Sequence, residues 1–233
     1  MTEGESMRRF SSVCIALVLL CLAAVQSAAA APPSPPPSGP IRLGYCGGDD
    51  WEPAFAVQGN YVYDVITHYV GDTTCDPASG NAQAMYIQVS TDGGRTFGAP
   101  HAVWNAPVNG VSYPSQADPA IAVDAAGNVY VTFLGLGVNG GHTDIIAARS
   151  TNHGASFTSA TQVNSKDCKN CDHEKMVVSG GNIYVAYSQA QYHFIAISRD
   201  QGATWTQATV DSTDVVGFAE TGVVDSSGNV YFA

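Results

Sequence analysis

Short apolar segments with alternating hydrophobic and polar positions recur along the chain, and turn residues separate them. Each unit contains an apolar segment, a Gly-Asn step and a second apolar segment. The step occurs as Gly59-Asn60, Gly127-Asn128, Gly181-Asn182 and Gly228-Asn229. Two apolar segments joined by such a turn are typical of a β-hairpin. The pattern therefore predicts one hairpin repeated four times, with no sustained helical period.

A third and a fourth strand follow the hairpin in the complete units. The third strands are expected at Met85–Val89, Ile145–Ala148 and Phe194–Ile197. Four strands per unit, repeated at this length, predict an all-β fold built as a β-propeller. The chain ends in the second strand of the fourth unit, so we interpret it as the first three to four blades of a truncated reading frame. The alternative is a half-propeller that dimerises.

A recurring turn motif lies between the third and fourth strands of three units. Its pattern is S-x-[DN]-x-G-x-[ST]-[FW], and we call the three copies the repeat turns. Asp or Asn accepts backbone hydrogen bonds in a tight turn, and Gly supplies a positive φ. The copies comprise Ser90, Asp92, Gly94, Thr96 and Phe97; Ser150, Asn152, Gly154, Ser156 and Phe157; and Ser198, Asp200, Gly202, Thr204 and Trp205.

The repeat turns resemble the Asp-box, or BNR repeat, of the sialidase (neuraminidase) superfamily, over roughly residues 44–233. The resemblance implies a sialidase-like β-propeller, six-bladed when complete, with the boxes as scaffold on the outer rim. It also implies a site with three arginines, an Asp acid/base and a Tyr nucleophile with a Glu helper. Arg42 stands roughly where the first arginine would be, although within Ile-Arg-Leu-Gly instead of the family's Arg-Ile-Pro. Asp76 is a rough positional match to the acid/base, and the other catalytic residues would lie beyond residue 233.

In a four-stranded blade, the 2–3 loops and the blade-to-blade loops share the face opposite the repeat turns. That face is the expected ligand site. Acidic residues recur there at the start of strand one, as Glu52, Asp118, Glu174 and Glu220. They form either a ring that holds a cation or sugar hydroxyls, or caps for backbone donors of the neighbouring blade, which is the interpretation favoured. The candidate binding residues are Asp49, Asp50, Trp51, Glu52, Asp118, Asp172, His173 and Glu174.

The first 40 residues are expected to lie outside the fold. Residues 1–31 have a short basic region, an apolar stretch and small residues typical of a signal peptide, so we expect a secreted, extracellular or periplasmic protein. Residues 32–40 are a Pro-rich linker, and residues 41–233 form the propeller domain. Cysteines in an exported chain favour disulfides. We expect Cys46 to pair with Cys75 and Cys168 with Cys171.

The formal net charge of −11 argues against nucleic acid and anionic membranes as partners. The histidine spacing indicates no metal site, and no motif indicates a cofactor. Two functions remain. The first is a non-catalytic module that binds an extracellular glycan or protein. The alternative is an exo-α-sialidase or related glycoside hydrolase, and the sequence leaves open whether the chain is an enzyme.

Overall fold

A computed structural model describes residues 39–45, 49–69, 83–138, 142–165, 168, 170–190, 192–211 and 219–233. All of them belong to the compact unit Pro37–Ala233. The expected signal peptide, most of the Pro-rich linker, Cys46, Cys75 and Asp76 lie outside the described residues. The Cys46–Cys75 bridge and the acid/base role of Asp76 therefore remain predictions.

The described residues form fourteen strands arranged as consecutive antiparallel sheets, which confirms the predicted all-β fold of a partial sialidase-like propeller. Blades 1 to 3 have four strands each, in chain order, and blade 4 has two. The strands are β1 Asp49–Gln58, β2 Tyr61–Tyr69, β3 Gln83–Ser90, β4 His101–Ala102, β5 Ser115–Val123, β6 Val129–Val138, β7 His142–Ser150, β8 Ser159–Gln162, β9 Cys171–Ser179, β10 Asn182–Gln189, β11 Tyr192–Ser198, β12 Thr206–Asp211, β13 Gly222–Val224 and β14 Val230–Phe232.

Two apolar cores hold the blades together. Successive residues of a strand point to opposite faces, so each central strand can supply both of its neighbours. Val131 and Phe133 of β6 pack towards blade 1, against Tyr63 and Val65. Tyr130 and Leu134 of the same strand contribute to the core shared with blade 3. The alternation of apolar side chains between the two faces of a strand therefore allows each blade to pack against the next.

A β-bulge interrupts the first strand of each complete blade at the same place. The register shifts fall between Trp51 and Ala54, between Ala117 and Ala120, and opposite Ala186–Ser188. The first bulged residue has positive φ in all three blades: Glu52 (55°), Asp118 (53°) and His173 (55°).

The bulges correct the alignment of the recurring acids. Hairpin pairing makes Val57, Val123 and Val178 equivalent. They lie opposite Val62, Val129 and Ile183, respectively, near the start of the second strand. Counting back from them places His173, not Glu174, in line with Glu52 and Asp118. Glu174 occupies the position of Pro53 and Pro119. The Gly-Asn steps concealed this in the sequence, because Asn60 lies in the turn of its hairpin whereas Asn182 is the first residue of β10.

The repeat turns are closed hydrogen-bond networks. In the first, Asp92 Oδ1 accepts from the backbone N–H groups of Arg95 and Thr96, both at 2.9 Å, and from the hydroxyl of Ser90 at 2.8 Å. Its Oδ2 accepts from the Thr96 hydroxyl at 2.7 Å. Asn152 makes the same bonds to Ser150 and Ser156 in the second turn, its amide nitrogen donating to the Ser156 hydroxyl.

The repeat turns also join neighbouring blades. The carbonyl of Gly154 accepts a hydrogen bond from Nε2 of His101 in blade 1, at 2.9 Å. The carbonyl of Gly202 accepts one from the hydroxyl of Thr161 in blade 2, at 2.6 Å. His101 and Thr161 both lie in the fourth strand of the preceding blade, so the same contact is repeated at successive junctions.

Candidate functional site at the channel-side ends of the first strands

The starts of β1, β5 and β9 lie at the end of the blades opposite the repeat turns, and we call this end the channel-side end. β1 begins at Asp49, beside the end of β2 at Tyr69, whereas the first repeat turn follows the far end of β3 at Ser90. The bulges at Glu52, Asp118 and His173 bring acidic residues from three blades to this end. We call Glu52, Asp118, Asp172 and Glu174 the carboxyl cluster.

Glu52 connects blade 1 to blade 2. Its Oε2 accepts a hydrogen bond from the hydroxyl of Thr67 at 3.0 Å and another from the backbone N–H of Asp118 at 3.2 Å. The second bond caps a donor on the neighbouring blade, which is the structural role favoured from the sequence. A positive φ turns the Asp118 N–H out of the ladder, so it needs such an acceptor.

Asp118 has no corresponding capping role towards blade 3. The backbone N–H of His173 donates instead to Oδ1 of Asp172, at 2.8 Å. The carboxyl of Asp118 interacts with those of Glu52 and Asp172. Burial, followed by these acidic neighbours, raises the pKa of Asp118 to about 7. Asp118 therefore carries a proton much of the time at neutral pH, and its side chain hydrogen-bonds with those of Glu52 and Asp172 instead of capping a backbone donor among the described residues.

Glu174 is the most deeply buried member of the carboxyl cluster. It is 2% exposed, and neither of its oxygens accepts a hydrogen bond from another described residue. Burial raises its pKa well above the usual range, and the charges of Asp118 and Asp172 add to this, while its own N–H and Lys175 act in the opposite direction. An isolated buried carboxylate is costly, so burial favours the neutral acid form of Glu174 over the ionised form.

Two aromatic rings adjoin the carboxyl cluster. Trp51 is 52% exposed, and its ring lies 6.0 Å from that of Tyr69, centroid to centroid. Burial raises the pKa of Tyr69, and the charges of Glu52 and Asp118 raise it further. The sequence analysis missed Tyr69. Its signal was the hairpin register, which pairs it with Asp49 across the first two strands.

The other predicted binding residues are distributed around this site. Asp50 is directed elsewhere: its Oδ1 lies 2.7 Å from Nδ1 of the buried His68, and its Oδ2 accepts from the N–H of Tyr45 at 3.1 Å. Asp49 lies close enough for its charge to act on Tyr69. Nε2 of His173 lies 3.6 Å from Oδ2 of Asp172.

The four arginines beyond residue 40 do not converge on the carboxyl cluster. Arg95 and Arg199 belong to the first and third repeat turns, and Arg149 directly precedes the second. Arg42 lies exposed in the segment 39–45, which runs along blade 1, where the N–H of Gly44 donates to Gln88 Oε1 at 2.8 Å. The site described here is thus acidic and aromatic.

Blade 3 anchors its part of the site with a disulfide. Cys168 and Cys171 are bonded, and both are buried, at 1% and 2% exposure. Cys171 opens β9 immediately before Asp172, so the bridge fixes the backbone from which Asp172 and Glu174 project.

The described residues contain no group of three or more His, Cys, Asp or Glu side chains arranged to hold a metal ion. No helix of a length and hydropathy suited to a membrane crossing occurs in the described part of the chain.

The fold and this site together define a propeller with an acidic, aromatic-edged face at one end of its blades. Solved structures share the fold. A protein of unknown function from Dyadobacter fermentans superposes with a TM-score of 0.56 at 15% identity, covering 78% of this chain and 60% of its own. Trypanosoma rangeli sialidase superposes with a TM-score of 0.54 at 15% identity, covering 78% of this chain and 33% of its own.

A third, weaker likeness is to a family 117 glycoside hydrolase from Zobellia galactanivorans, with a TM-score of 0.49 at 15% identity over 71% of this chain and 58% of the other. The chain thus spans 60% or less of the length of these proteins. No protein-family model matches the sequence, and the search of curated proteins found no match.

Proposed function

We propose that this protein is a secreted, non-catalytic β-propeller module that binds a carbohydrate at the channel-side end of blades 1 to 3, and that its repeat turns are Asp-boxes serving as scaffold. The observation that carries the proposal is the convergence of Glu52, Asp118, Asp172 and Glu174 beside an exposed Trp51. Aromatic faces and carboxyl oxygens are the groups that bind sugar rings and their hydroxyls.

The carboxyl cluster supports a ligand site because it does little for the fold. Of its members, Glu52 caps a neighbouring blade and Asp172 caps its own bulge. Asp118 and Glu174 have raised pKa values, which means that folding makes their ionised forms less favourable. Groups that cost stability and gather in one place are typical of functional sites.

A sialidase is the second candidate, because sialidase is among the proteins that share the fold. The charge of the site argues against it. A sialoside carries a carboxylate, which arginines bind through paired N–H donors. The carboxyl cluster has the same sign of charge as that ligand, and three of the four arginines beyond residue 40 belong to or adjoin the repeat turns.

The test is a titration of the purified protein with a panel of neutral, cationic and anionic oligosaccharides, followed by calorimetry. We expect Trp51→Ala to weaken binding about tenfold or more, since a stacked aromatic ring contributes on the order of 1 kcal/mol or more. Phe55→Ala is the matched control, because Phe55 is an equally exposed aromatic of the same strand, at 54%.

Three results would contradict the proposal. The first is a loss of binding that is equal in Trp51→Ala and Phe55→Ala, and the second is that no oligosaccharide binds. The third is hydrolysis of a fluorogenic sialoside that Arg42→Ala abolishes, which would make the chain a sialidase.

A further inference from the structure

Glu174 is the residue that the fold explains least. The equivalent positions in blades 1 and 2 are occupied by Pro53 and Pro119, so the bulge itself does not require a carboxylic acid there. Glu174 is nonetheless 2% exposed, with two oxygens that no other described residue satisfies by a hydrogen bond. A buried polar group without a hydrogen-bond partner destabilises the folded protein. A ligand that donates hydrogen bonds would remove this cost.

The position of Glu174 places those oxygens at the junction of blades 2 and 3. Residues two apart in a strand share a face, and Met176 and Val178 of β9 pack into the core between these blades. Glu174 precedes them with the same spacing. It also interacts electrostatically with Asp118 of blade 2 and Asp172 of blade 3. The unsatisfied oxygens are therefore part of the carboxyl cluster.

The charge of the surroundings selects the sign of the ligand. The ionisable side chains that act on the cluster are mostly acids: Glu52, Asp118, Asp172 and Glu174, with Tyr69 beside them and Asp49 next to Tyr69. Lys175 is the cationic side chain that acts on Glu174, and His173 adjoins Asp172. Several carboxyls in contact with one another attract a positive group, and the attraction grows as water is excluded.

The two aromatic rings favour an organic cation as the positively charged ligand. An ammonium group is attracted to the face of Trp and Tyr as well as to carboxylates. Trp51 is exposed, and the charges of Glu52 and Asp118 reach the hydroxyl of Tyr69. A site with aromatic faces on one side and carboxyl oxygens on the other suits a protonated amine, which has three N–H donors to distribute.

We propose that the carboxyl cluster binds the protonated amine of an amino sugar, with Asp118 and Glu174 accepting its hydrogen bonds and Trp51 stacking on the sugar ring. This assignment rests on the proposed carbohydrate-binding function and names the class of sugar. It distinguishes the site from one for acidic sugars, because the carboxyl cluster attracts an ammonium group and repels a carboxylate.

Proton release provides an independent signature. Asp118 must ionise to pair with an ammonium group, and burial disfavours the ionised form of Glu174 as well. Binding of an amine that is already protonated therefore displaces protons and strengthens as pH rises towards about 7, the pKa of Asp118. Glu52 and Asp172 are the other carboxyls of the cluster, and Lys175 is the cationic side chain that acts on Glu174. Calorimetry in two buffers with different heats of ionisation measures the number of protons released.

The direct experiment uses two oligosaccharides that differ only in acetylation: tetramers of glucosamine and of N-acetylglucosamine. We expect the purified protein to bind the glucosamine tetramer about tenfold or more tightly at pH 7 and low salt, with protons released. Asp118→Asn should remove most of this preference without weakening the acetylated tetramer. Glu174→Gln should do the same, and each of the two variants should release fewer protons than the wild-type protein. Asp92→Asn, the same change in a repeat turn, is the control and should bind as wild type does.

The outcomes separate the two proposals. If both tetramers bind equally, through Trp51, the amine assignment is wrong and carbohydrate binding stands. If neither tetramer nor any other oligosaccharide binds, both fail. If the unfolded fraction of a variant rises, its circular dichroism reports this, and the proton release of the wild-type protein decides alone. Tight binding of calcium chloride that Asp118→Asn abolishes, with no preference between the tetramers, would show that the cluster is a metal site and overturn the assignment.

Discussion

Acidic residues recur at both ends of these blades, and the two sets have opposite electrostatic properties. In the repeat turns, hydrogen bonds from Thr204 and Ser198 lower the pKa of Asp200 to about 2. At the channel-side end, burial and neighbouring carboxyls raise the pKa of Asp118 to about 7. The residue type and its periodic recurrence are the same in both places, so recurrence alone does not distinguish scaffold from site.

The difference comes from the donors that each backbone conformation supplies. A repeat turn directs N–H groups and a hydroxyl at its acidic side chain, which is why ionisation stabilises the turn. The bulges direct carboxyls towards one another. Glu52 alone caps the next blade, and in the next junction Asp172 takes over that task and leaves Asp118 without it. The departure from the repeat at this junction is what identifies the site.

The largest effect is expected at the repeat turns. Ser198 is fully buried, and its hydroxyl donates to Asp200 Oδ1 and accepts from the N–H of Gly202 at 2.7 Å. Ser198→Ala leaves the N–H of Gly202 without its acceptor and removes one donor from Asp200 Oδ1, which keeps the N–H of Thr204, so the free energy of unfolding should fall by about 1–3 kcal/mol. Thermal melting of this variant beside Ser159→Ala, at an exposed position of β8, measures the effect. Equal melting temperatures for Ser198→Ala and Ser159→Ala would show that this hydrogen-bond network does not stabilise the fold.

At the channel-side end, replacing an acidic residue is expected to raise the free energy of unfolding, whereas the change in the repeat turn lowers it. The folded-state pKa of Asp118 lies above its unfolded value, so its contribution to stability is present below about pH 4 and is lost as pH rises through about 7. Asp118→Asn removes that loss. After discounting for partial exposure, we expect it to stabilise the protein by on the order of 1 kcal/mol at pH 8 and by little at pH 4. Urea unfolding at both pH values tests this, and destabilisation at pH 8 would contradict it.

Glu174→Gln should flatten the same pH profile. Burial makes ionisation of Glu174 less favourable in the folded protein than in the unfolded chain, so wild-type stability should decline as pH rises above the ordinary carboxyl pKa. The variant has no proton to lose at this position. A difference between wild type and variant that does not change with pH would show that Glu174 is ionised in the folded state.

The smallest effect is expected for Asp92→Asn. Asn152 fills the equivalent position naturally and makes the corresponding bonds, with its amide donating to Ser156. The change should shift the melting temperature at neutral pH by only about 2 °C or less. A drop as large as that of Ser198→Ala would mean that the charge, and not the hydrogen-bond geometry, holds the turn.

The sequence was sufficient to predict the strands, blades and repeat turns, because each depends on local alternation and turn residues. It also placed Glu52, Asp118, Asp172 and Glu174 at one end. It could not align Glu174 correctly, since the Gly-Asn step forms the turn in blade 1 but lies one residue further along the hairpin in blade 3. It also missed Tyr69, because that ring reaches the site through cross-strand pairing with Asp49 and has no motif of its own.

The contrast between the two ends can be measured in a single titration. Nuclear magnetic resonance of the side-chain carboxyl carbons, followed from about pH 2 to pH 9, gives the pKa of Asp118 and Asp200 in the same sample. The account predicts a value near 7 for Asp118 and one near 2 for Asp200. Values near the ordinary carboxyl pKa for both residues would contradict it, because the channel-side acids would then cost the fold nothing and give no reason to place a site among them.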